Sequence, residues 1–198
     1  NFLLKKLVFE KRGLNIYQLA EEIMVSESTI ASDLKRLNKI LKEYGRDLSV
    51  VRKSDEIFLE GSEKEKRSLL SELLFNETNH SYFNLTKYKR YFKDIDLITI
   101  QKYLIETVKK YDFLLNEVAL VNLLVHIAIT VERIKNKNFL EVYLDFDKTA
   151  NTVECEIAKE LCAKLEDEFK VKFPPEEVLY ISYLILGRRK IMNTFVDR

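Results

Sequence analysis

Residues 26–61 read SESTIASDLKRLNKILKEYGRDLSVVRKSDEIFLEG, and this stretch carries most of the information about the fold. Ser26 is a typical helix N-cap, because its hydroxyl can accept a hydrogen bond from a backbone N–H of the first turn. Over residues 27–44, apolar side chains recur at helical spacing. Two β-prone runs follow, at residues 48–52 and 57–60, and the polar tetrapeptide between them suits a hairpin loop. The stretch therefore predicts a long helix followed by a β-hairpin.

Two shorter helices are predicted upstream, one that stops at Gly13 and one over residues 16–24. Only residues 25–27 separate the second of these from the long helix. A turn this short makes two helices cross steeply and presents the later helix outward. The order helix, turn, helix, hairpin is that of a winged helix-turn-helix. We expect this DNA-binding domain to occupy residues 1–75.

The long helix, which we call the reading helix, has a polar and basic outward face. In helix-turn-helix proteins the first residues of this helix meet base edges in the major groove. The residues expected to face outward are Ser28, Thr29, Ser32, Lys35, Arg36 and Lys39. Arg36 can bind guanine through two hydrogen bonds, whereas the two lysines and the hairpin residues Arg52 and Lys53 are expected to hold phosphates. The alternative is an ordinary amphipathic helix with a solvated polar face, and the hairpin favours the DNA-binding interpretation.

Composition sets the broad class of protein. The 198 residues are 46% hydrophobic and 33% charged, which suits one large or two small globular domains and excludes a disordered chain. The longest uncharged run, residues 118–131, is shorter than the ~20 residues that span a bilayer. No signal peptide is visible. Cys155 and Cys162 lie too far apart on a helix for a disulfide. We expect a cytoplasmic protein without a membrane segment.

The second half of the chain is predicted to be almost wholly helical. A polar segment at residues 76–86 suggests a domain boundary, and residues 137–148 suit a connecting loop. The candidate helices are Leu97–Tyr111, Asn116–Lys135, Thr152–Phe169 and Glu176–Ile191. They predict an antiparallel helical bundle over residues 82–198. The fold class is therefore mainly α, a winged helix-turn-helix followed by a helical bundle.

The most apolar of these helices carries a polar seam. Asn122, His126, Thr130 and Arg133 follow one another at steps of four, four and three, which places them on one helix face. Burying such groups without partners costs ~1–3 kcal/mol each. The seam therefore either satisfies its hydrogen bonds inside the core or faces a functional surface, and periodicity alone leaves both interpretations open.

No residue pattern supports an enzyme. His80 lies in the polar segment, and no Ser or Cys has the context of a nucleophile with its base. A chain with 4 glycines has no glycine-rich phosphate loop. No cluster of ligating residues suggests a metal, and no cofactor is expected.

Several of these segments resemble known families. Residues 26–38 resemble the second helix-turn-helix of Mga-type and sugar-operon activators, whose wing ends in a segment like Leu59–Ser62 followed by basic residues such as Lys66 and Arg67. The helical part resembles a PTS regulation domain, or PRD, a five-helix bundle of bacterial carbohydrate regulators. Residues 124–134 (LVHIAITVERI) look like its first histidine motif and residues 177–187 (EVLYISYLILG) like its second. The matches cover nearly the whole chain in the order of the family.

The resemblance implies a DNA-binding regulator, an activator, of carbohydrate-responsive genes. In this family phosphorylation of histidines by the phosphocarrier HPr, or by enzyme II components of the phosphotransferase system, shifts the oligomeric state, here expected to be a homodimer. His126 matches the first phosphorylatable histidine. A phosphoryl group there adds roughly −1.5 to −2 charge, and Arg133 and Asn122 are expected to pair with it. Leu184 stands where the second motif has histidine, so one of the two usual sites is left.

Two other functions stay open at this point. An RNA-binding antiterminator shares the regulatory bundle but begins with a small β-rich domain. A dimerisation module would use the bundle without sensing phosphate. Because relatives of this kind carry further domains, we expect the chain to be a fragment of a longer regulator.

Overall fold

The computed structural model describes residues 2–9, 13–78, 85–141 and 152–196, with side chains as far as residue 188. The chain divides into two compact units, residues 1–73 and 74–198. The described residues are mainly helical and contain one three-stranded antiparallel sheet. The predicted fold class is thereby confirmed.

The first unit consists of four helices and three short strands within the described residues. In chain order they are α1 (Phe2–Phe9), β1 (Leu14–Asn15), α2 (Ile16–Glu22), α3 (Glu27–Glu43), β2 (Leu48–Lys53), β3 (Glu56–Gly61) and α4 (Glu63–Glu77), of which the part up to Leu73 belongs here. The helix, turn, helix, hairpin order predicted from the sequence is present, and α3 is the reading helix.

The reading helix forms where its cap and its apolar spacing predict. The Ser26 hydroxyl accepts from the backbone N–H of Thr29 at 3.2 Å, and Ile30, Leu34 and Leu41 are buried. The preceding helix, α2, ends at Glu22, earlier than predicted. Met24 adopts a φ of +53° and its side chain is 92% exposed, so the backbone has left the helix there.

The predicted hairpin is present, and its strands are longer than expected by one residue in β2 and two in β3. Its ladder pairs Val50 with Leu59 and extends to Lys53 opposite Glu56. Strand β1 adds to the far side of β3, giving the order β1-β3-β2. Gly61 ends β3 with a φ of +133°, and a Cβ there would lie 2.6 Å from the Asp47 carbonyl oxygen, so the position requires glycine.

The second unit is a helical bundle. After the end of α4 it contains α5 (Thr86–Lys89), α6 (Leu97–Lys110), α7 (Glu117–Lys135), α8 (Val153–Phe169) and α9 (Pro175–Val196). Helix α8 packs against α6 and α9, and α7 packs against the same two helices. The four long helices begin within one residue of their predicted starts, since Asn116 and Thr152 act as N-caps rather than first residues.

Three details of the second unit differ from the prediction or lie beyond it. Helix α4 continues to Glu77, past the predicted start of the polar linker, and α5 was not predicted. The rest of that linker, including His80, lies largely outside the described residues.

Cys155 and Cys162 are buried and not bonded to each other, and burial raises the pKa of the Cys162 thiol. No helix among the described residues is both long and apolar enough to cross a membrane.

Candidate nucleic-acid interface and histidine site

All eight predicted DNA contacts lie on the exposed surface of the first unit. They are Ser28, Thr29, Ser32, Lys35, Arg36, Lys39, Arg52 and Lys53. Six project from α3 because the buried residues of that helix occupy its opposite face. The other two stand at the end of β2, next to the hairpin turn. The structure therefore presents to solvent every residue that the sequence assigned to this surface.

The residues of this surface differ in how far their polar groups are already engaged. Ser26 Oγ lies 2.8 Å from Ser28 Oγ and 2.9 Å from Thr29 Oγ1. The hydroxyl groups of Ser28 and Thr29 therefore belong to the hydrogen-bonded cap of the helix. By contrast, Ser32, Lys35 and Arg36 make no hydrogen bond or ion pair within the described residues. These three side chains are the ones most available to a ligand.

The remaining basic candidates have intramolecular partners of different strength. Lys39 Nζ lies 3.8 Å from the Glu43 carboxylate, and both side chains are well exposed. Such a pair contributes ~0–1 kcal/mol and is easily exchanged for a phosphate contact. Lys53 is 2.6 Å from the Glu60 carboxylate in an exposed pair across the hairpin. Both lysines can therefore turn to an anion at small cost.

Arg52 is held more firmly than the lysines. Its Nη1 donates to the Glu27 carboxylate at 2.5 Å and its Nε to the Ser54 carbonyl at 2.7 Å, while Nη2 lies 3.9 Å from the Asp55 carboxylate. The hydrogen bond with Glu27 raises the pKa of Arg52 above its ordinary value. This guanidinium links the hairpin to the first residue of the reading helix.

Two polar residues near this surface behave in ways that the sequence analysis missed. Asn38 Nδ2 donates to the Val50 carbonyl at 2.8 Å, and its Oδ1 accepts from the Val50 N–H at 2.6 Å. Arg46, which follows the reading helix in the chain, donates to Ser68 at 2.8 Å and pairs with the Glu72 carboxylate. The signal for Asn38 was its place between Leu34 and Leu41 on the buried side of the helix.

In the second unit, His126 lies on α7 and is partly buried. Its Nδ1 is enclosed and has no hydrogen-bond partner within the described residues. The ring of Phe75 lies with its centroid 6.4 Å from that of the imidazole. Burial, and secondarily the positive charge of Arg188, lower the pKa of His126 to about 4. The imidazole is therefore neutral at neutral pH.

Two residues of the polar seam of α7, Thr130 and Asn122, have hydrogen-bond partners in the structure. Thr130 Oγ1 donates to the His126 carbonyl at 2.9 Å, one turn back along the helix. Arg188 of α9 donates to the side-chain carbonyl of Asn122. Arg133 is buried, with 5% of its surface exposed. The structure thus brings Arg188, which the sequence analysis did not single out, to the site of His126 and Asn122.

Comparison with known proteins gives two family matches and two similar regulators. The family model described as the Mga helix-turn-helix domain matches residues 1–74, and that of the PRD domain matches residues 95–188. Residues 1–74 thus form an Mga helix-turn-helix domain, and residues 95–188 form a PRD domain. The probable licABCH operon regulator of Bacillus subtilis (strain 168) is 28% identical over 98% of this chain, and the transcriptional regulator ManR of the same organism is 27% identical over 91%.

The chain spans about a third of each relative. It covers 30% of the licABCH operon regulator and 28% of ManR. Its Mga helix-turn-helix domain contains α1 to α3 and the hairpin, and its PRD contains α6 to α8 and most of α9. Both described sites therefore fall inside a matched family domain.

The PRD site contains one histidine in the described residues. Leu184, at the position that the family motif gives to its second histidine, is a partly buried residue of α9. The described residues hold no group of three or more His, Cys, Asp and Glu side chains that could bind a metal ion. The chemistry available at this site is that of a neutral imidazole beside a guanidinium.

The lowered pKa of His126 makes the stability of the PRD depend on pH. Because the pKa is about 4 in the folded chain and about 6.5 in the unfolded chain, the unfolded chain takes up the proton first. We expect the free energy of unfolding to fall by up to about 3 kcal/mol as pH drops from 6.5 to 4. Urea unfolding of the wild type and of His126→Gln across this range measures the difference, since all other groups titrate alike in both. If the free energies of unfolding of the two proteins changed in parallel with pH, the predicted effect of His126 would be contradicted.

Proposed function

We propose that this chain is the DNA-binding and regulatory part of a transcription regulator, an activator of carbohydrate-responsive genes. The observation that carries the proposal is the exposed face of α3, where Lys35 and Arg36 have no partner within the described residues. Cations that are left unpaired beside a helix-turn-helix suit the phosphates and base edges of duplex DNA. Both curated relatives carry names that describe regulators, one of an operon and one of transcription.

The proposed division of labour on this surface follows from side-chain chemistry. Arg36 reads guanine, because its guanidinium can donate two parallel hydrogen bonds to one base edge. Ser28, Thr29 and Ser32 lie toward the N-terminal end of α3 and reach bases or phosphates with single hydrogen bonds. The lysines of the surface contact phosphates and set the register of the domain on the duplex.

Replacing Arg36 tests the base-reading role. We expect Arg36→Ala to weaken binding to a duplex selected from a random pool by the wild-type chain, by roughly 10- to 100-fold. Lys64→Ala is the matched control, since Lys64 is an exposed cation on α4 of the same unit. Fluorescence anisotropy gives both dissociation constants. Equal affinities of the two variants would show that Arg36 does not read the operator.

For regulation, we propose that His126 accepts a phosphoryl group from phosphorylated HPr or an enzyme II component. A neutral imidazole offers the lone pair that the transfer needs, and the low pKa keeps His126 in that form. Because Nδ1 is enclosed, the proposed acceptor is Nε2. The new N–P bond forms as the bond between phosphorus and the donor breaks.

The proposed partners of the phosphoryl group are Asn122 and Arg188. The hydrogen bond between them holds a guanidinium on the side of α7 that carries His126, and an anionic phosphoryl group would gain a charge-assisted contact there. Arg133, the arginine proposed from the sequence, lies two turns further along α7 and is buried. Its role stays a prediction. We further propose that phosphorylation shifts a homodimer equilibrium of a cytoplasmic regulator.

Of the two other functions, the antiterminator has less support. It requires a strand-rich domain at residues 1–75, whereas the described part of that region is mainly helical, with three short strands. The dimerisation module without phosphate sensing is supported only by Leu184, which leaves one histidine in the two motifs. Failure of His126 to take up phosphate would favour it.

A further inference from the structure

Strand β2 of the hairpin has one open edge, and a side chain of the reading helix closes it. Among the strands that the structure describes, the order β1-β3-β2 leaves β2 paired on one side only. In an antiparallel pair, alternate residues direct their backbone groups away from the partner strand. Val50 is such a residue, and its N–H and C=O both bond to Asn38, at 2.6 and 2.8 Å. The amide of Asn38 thus takes the place of a neighbouring strand.

A second contact ties the far end of the same strand to the start of α3. Arg52 donates to Glu27, the first residue of the helix, and to the carbonyl of Ser54 in the hairpin turn. With Asp55 near its remaining nitrogen, all three nitrogens of this guanidinium face groups of the protein. An arginine placed in this way fixes the hairpin tip and has little left to offer a phosphate.

The geometry points to a pair of tethers, Asn38–Val50 and Glu27–Arg52, that hold the hairpin at a fixed position beside the reading helix. This inference deepens the proposed function and rests on it. It makes Asn38 and Glu27 positioning residues for DNA binding, and it makes Arg52 a tether instead of the phosphate contact that the sequence suggested. Lys53 stays the phosphate contact of the hairpin. A hairpin held at two points meets the duplex without an added ordering cost.

The Asn38 tether is tested without DNA by amide hydrogen exchange. Loss of one hydrogen bond corresponds to about 1 kcal/mol, so we expect the Val50 amide to exchange roughly 5- to 10-fold faster in Asn38→Ala. The Val51 amide, which points toward β3, should change far less. Lys42→Ala, one turn along the same exposed helix end, is the matched control. Unchanged exchange of Val50 in Asn38→Ala would overturn this tether.

The role of Arg52 is tested by the salt dependence of duplex binding. Removing a phosphate contact lowers the slope of log K against log salt by about 1. We expect Lys35→Gln to lower the slope in this way, and Arg52→Gln to weaken binding several-fold at an unchanged slope. The double variant Glu27→Gln/Arg52→Gln should lose no more affinity than Arg52→Gln, because both changes break one tether. A slope reduced equally in Arg52→Gln and Lys35→Gln would overturn the inference.

The outcomes separate this inference from the proposed function. If the wild-type chain binds no duplex, the proposed function fails. Hydrogen exchange of the Val50 amide still tests the Asn38 tether in that case. If the wild type binds and Asn38→Ala, folded by circular dichroism, binds equally well, the tether has no role in DNA binding. Binding weakened several-fold by Asn38→Ala, at an unchanged salt slope, is the result that supports a positioning residue.

Discussion

We expect His126→Ala to abolish the transfer of labelled phosphate from phosphorylated HPr to this chain, leaving only background counts. The reason is that the proposed acceptor is the neutral imidazole of this residue, and no second histidine occupies the position of Leu184. His80→Ala is a matched control, because His80 is the other of the 2 histidines in the chain. We expect that variant to be labelled like the wild type.

The same assay distinguishes the competing explanations. Labelling lost in both variants would point to a fold damaged by either change, which circular dichroism would reveal. Labelling retained in His126→Ala would contradict the assignment of the site. If the wild type itself takes up no phosphate, the bundle does not sense phosphate through this donor, and the dimerisation module gains support.

Arg67→Met gives the largest loss of stability that we expect in the first unit. The Arg67 side chain is fully buried, and its Nε donates to the Glu63 carboxylate at 3.0 Å, one turn back along α4. Removing the cation breaks a buried ion pair by taking away one of its members, which typically costs ~3–5 kcal/mol. Urea unfolding, with the exposed pair variant Lys39→Ala as control, measures the difference.

A double variant shows whether the pair itself stabilises the fold. Replacing a buried ion pair by apolar residues of similar volume is often neutral. We therefore expect Glu63→Leu/Arg67→Met to recover most of the stability that Arg67→Met loses. A double variant as unstable as the single one would show that Arg67 acts through its other contacts instead.

Much of the fold was predictable because local signals agreed with it. The cap at Ser26, the apolar spacing of α3 and the polar tetrapeptide of the hairpin each depend on residues close together in sequence. Strand β1 was not predictable in this way. It is two residues long and exists because Leu14 and Asn15 pair with the distant β3. Helix α2 likewise ends before Met24, although no Gly or Pro marks its end in the sequence.

The candidate sites were predictable to the extent that exposure follows from helix periodicity. All eight proposed DNA contacts are exposed, since the opposite face of α3 is apolar. What periodicity does not show is which cation is already paired. Arg52 and Arg46 engage carboxylates from other elements, and Arg188 reaches the His126 site from another helix. These contacts depend on tertiary packing, which no spacing rule within one helix contains.

The proposal of duplex recognition is tested most directly by measuring the affinity of the unmodified chain for duplex DNA over a range of salt concentrations. If the three exposed lysines, Lys35, Lys39 and Lys53, each neutralise a phosphate, log K should fall against log salt with a slope near −3 per protomer. Such a slope is the result we predict. Absent binding at low salt, or binding that does not change with salt, would contradict DNA recognition by this surface.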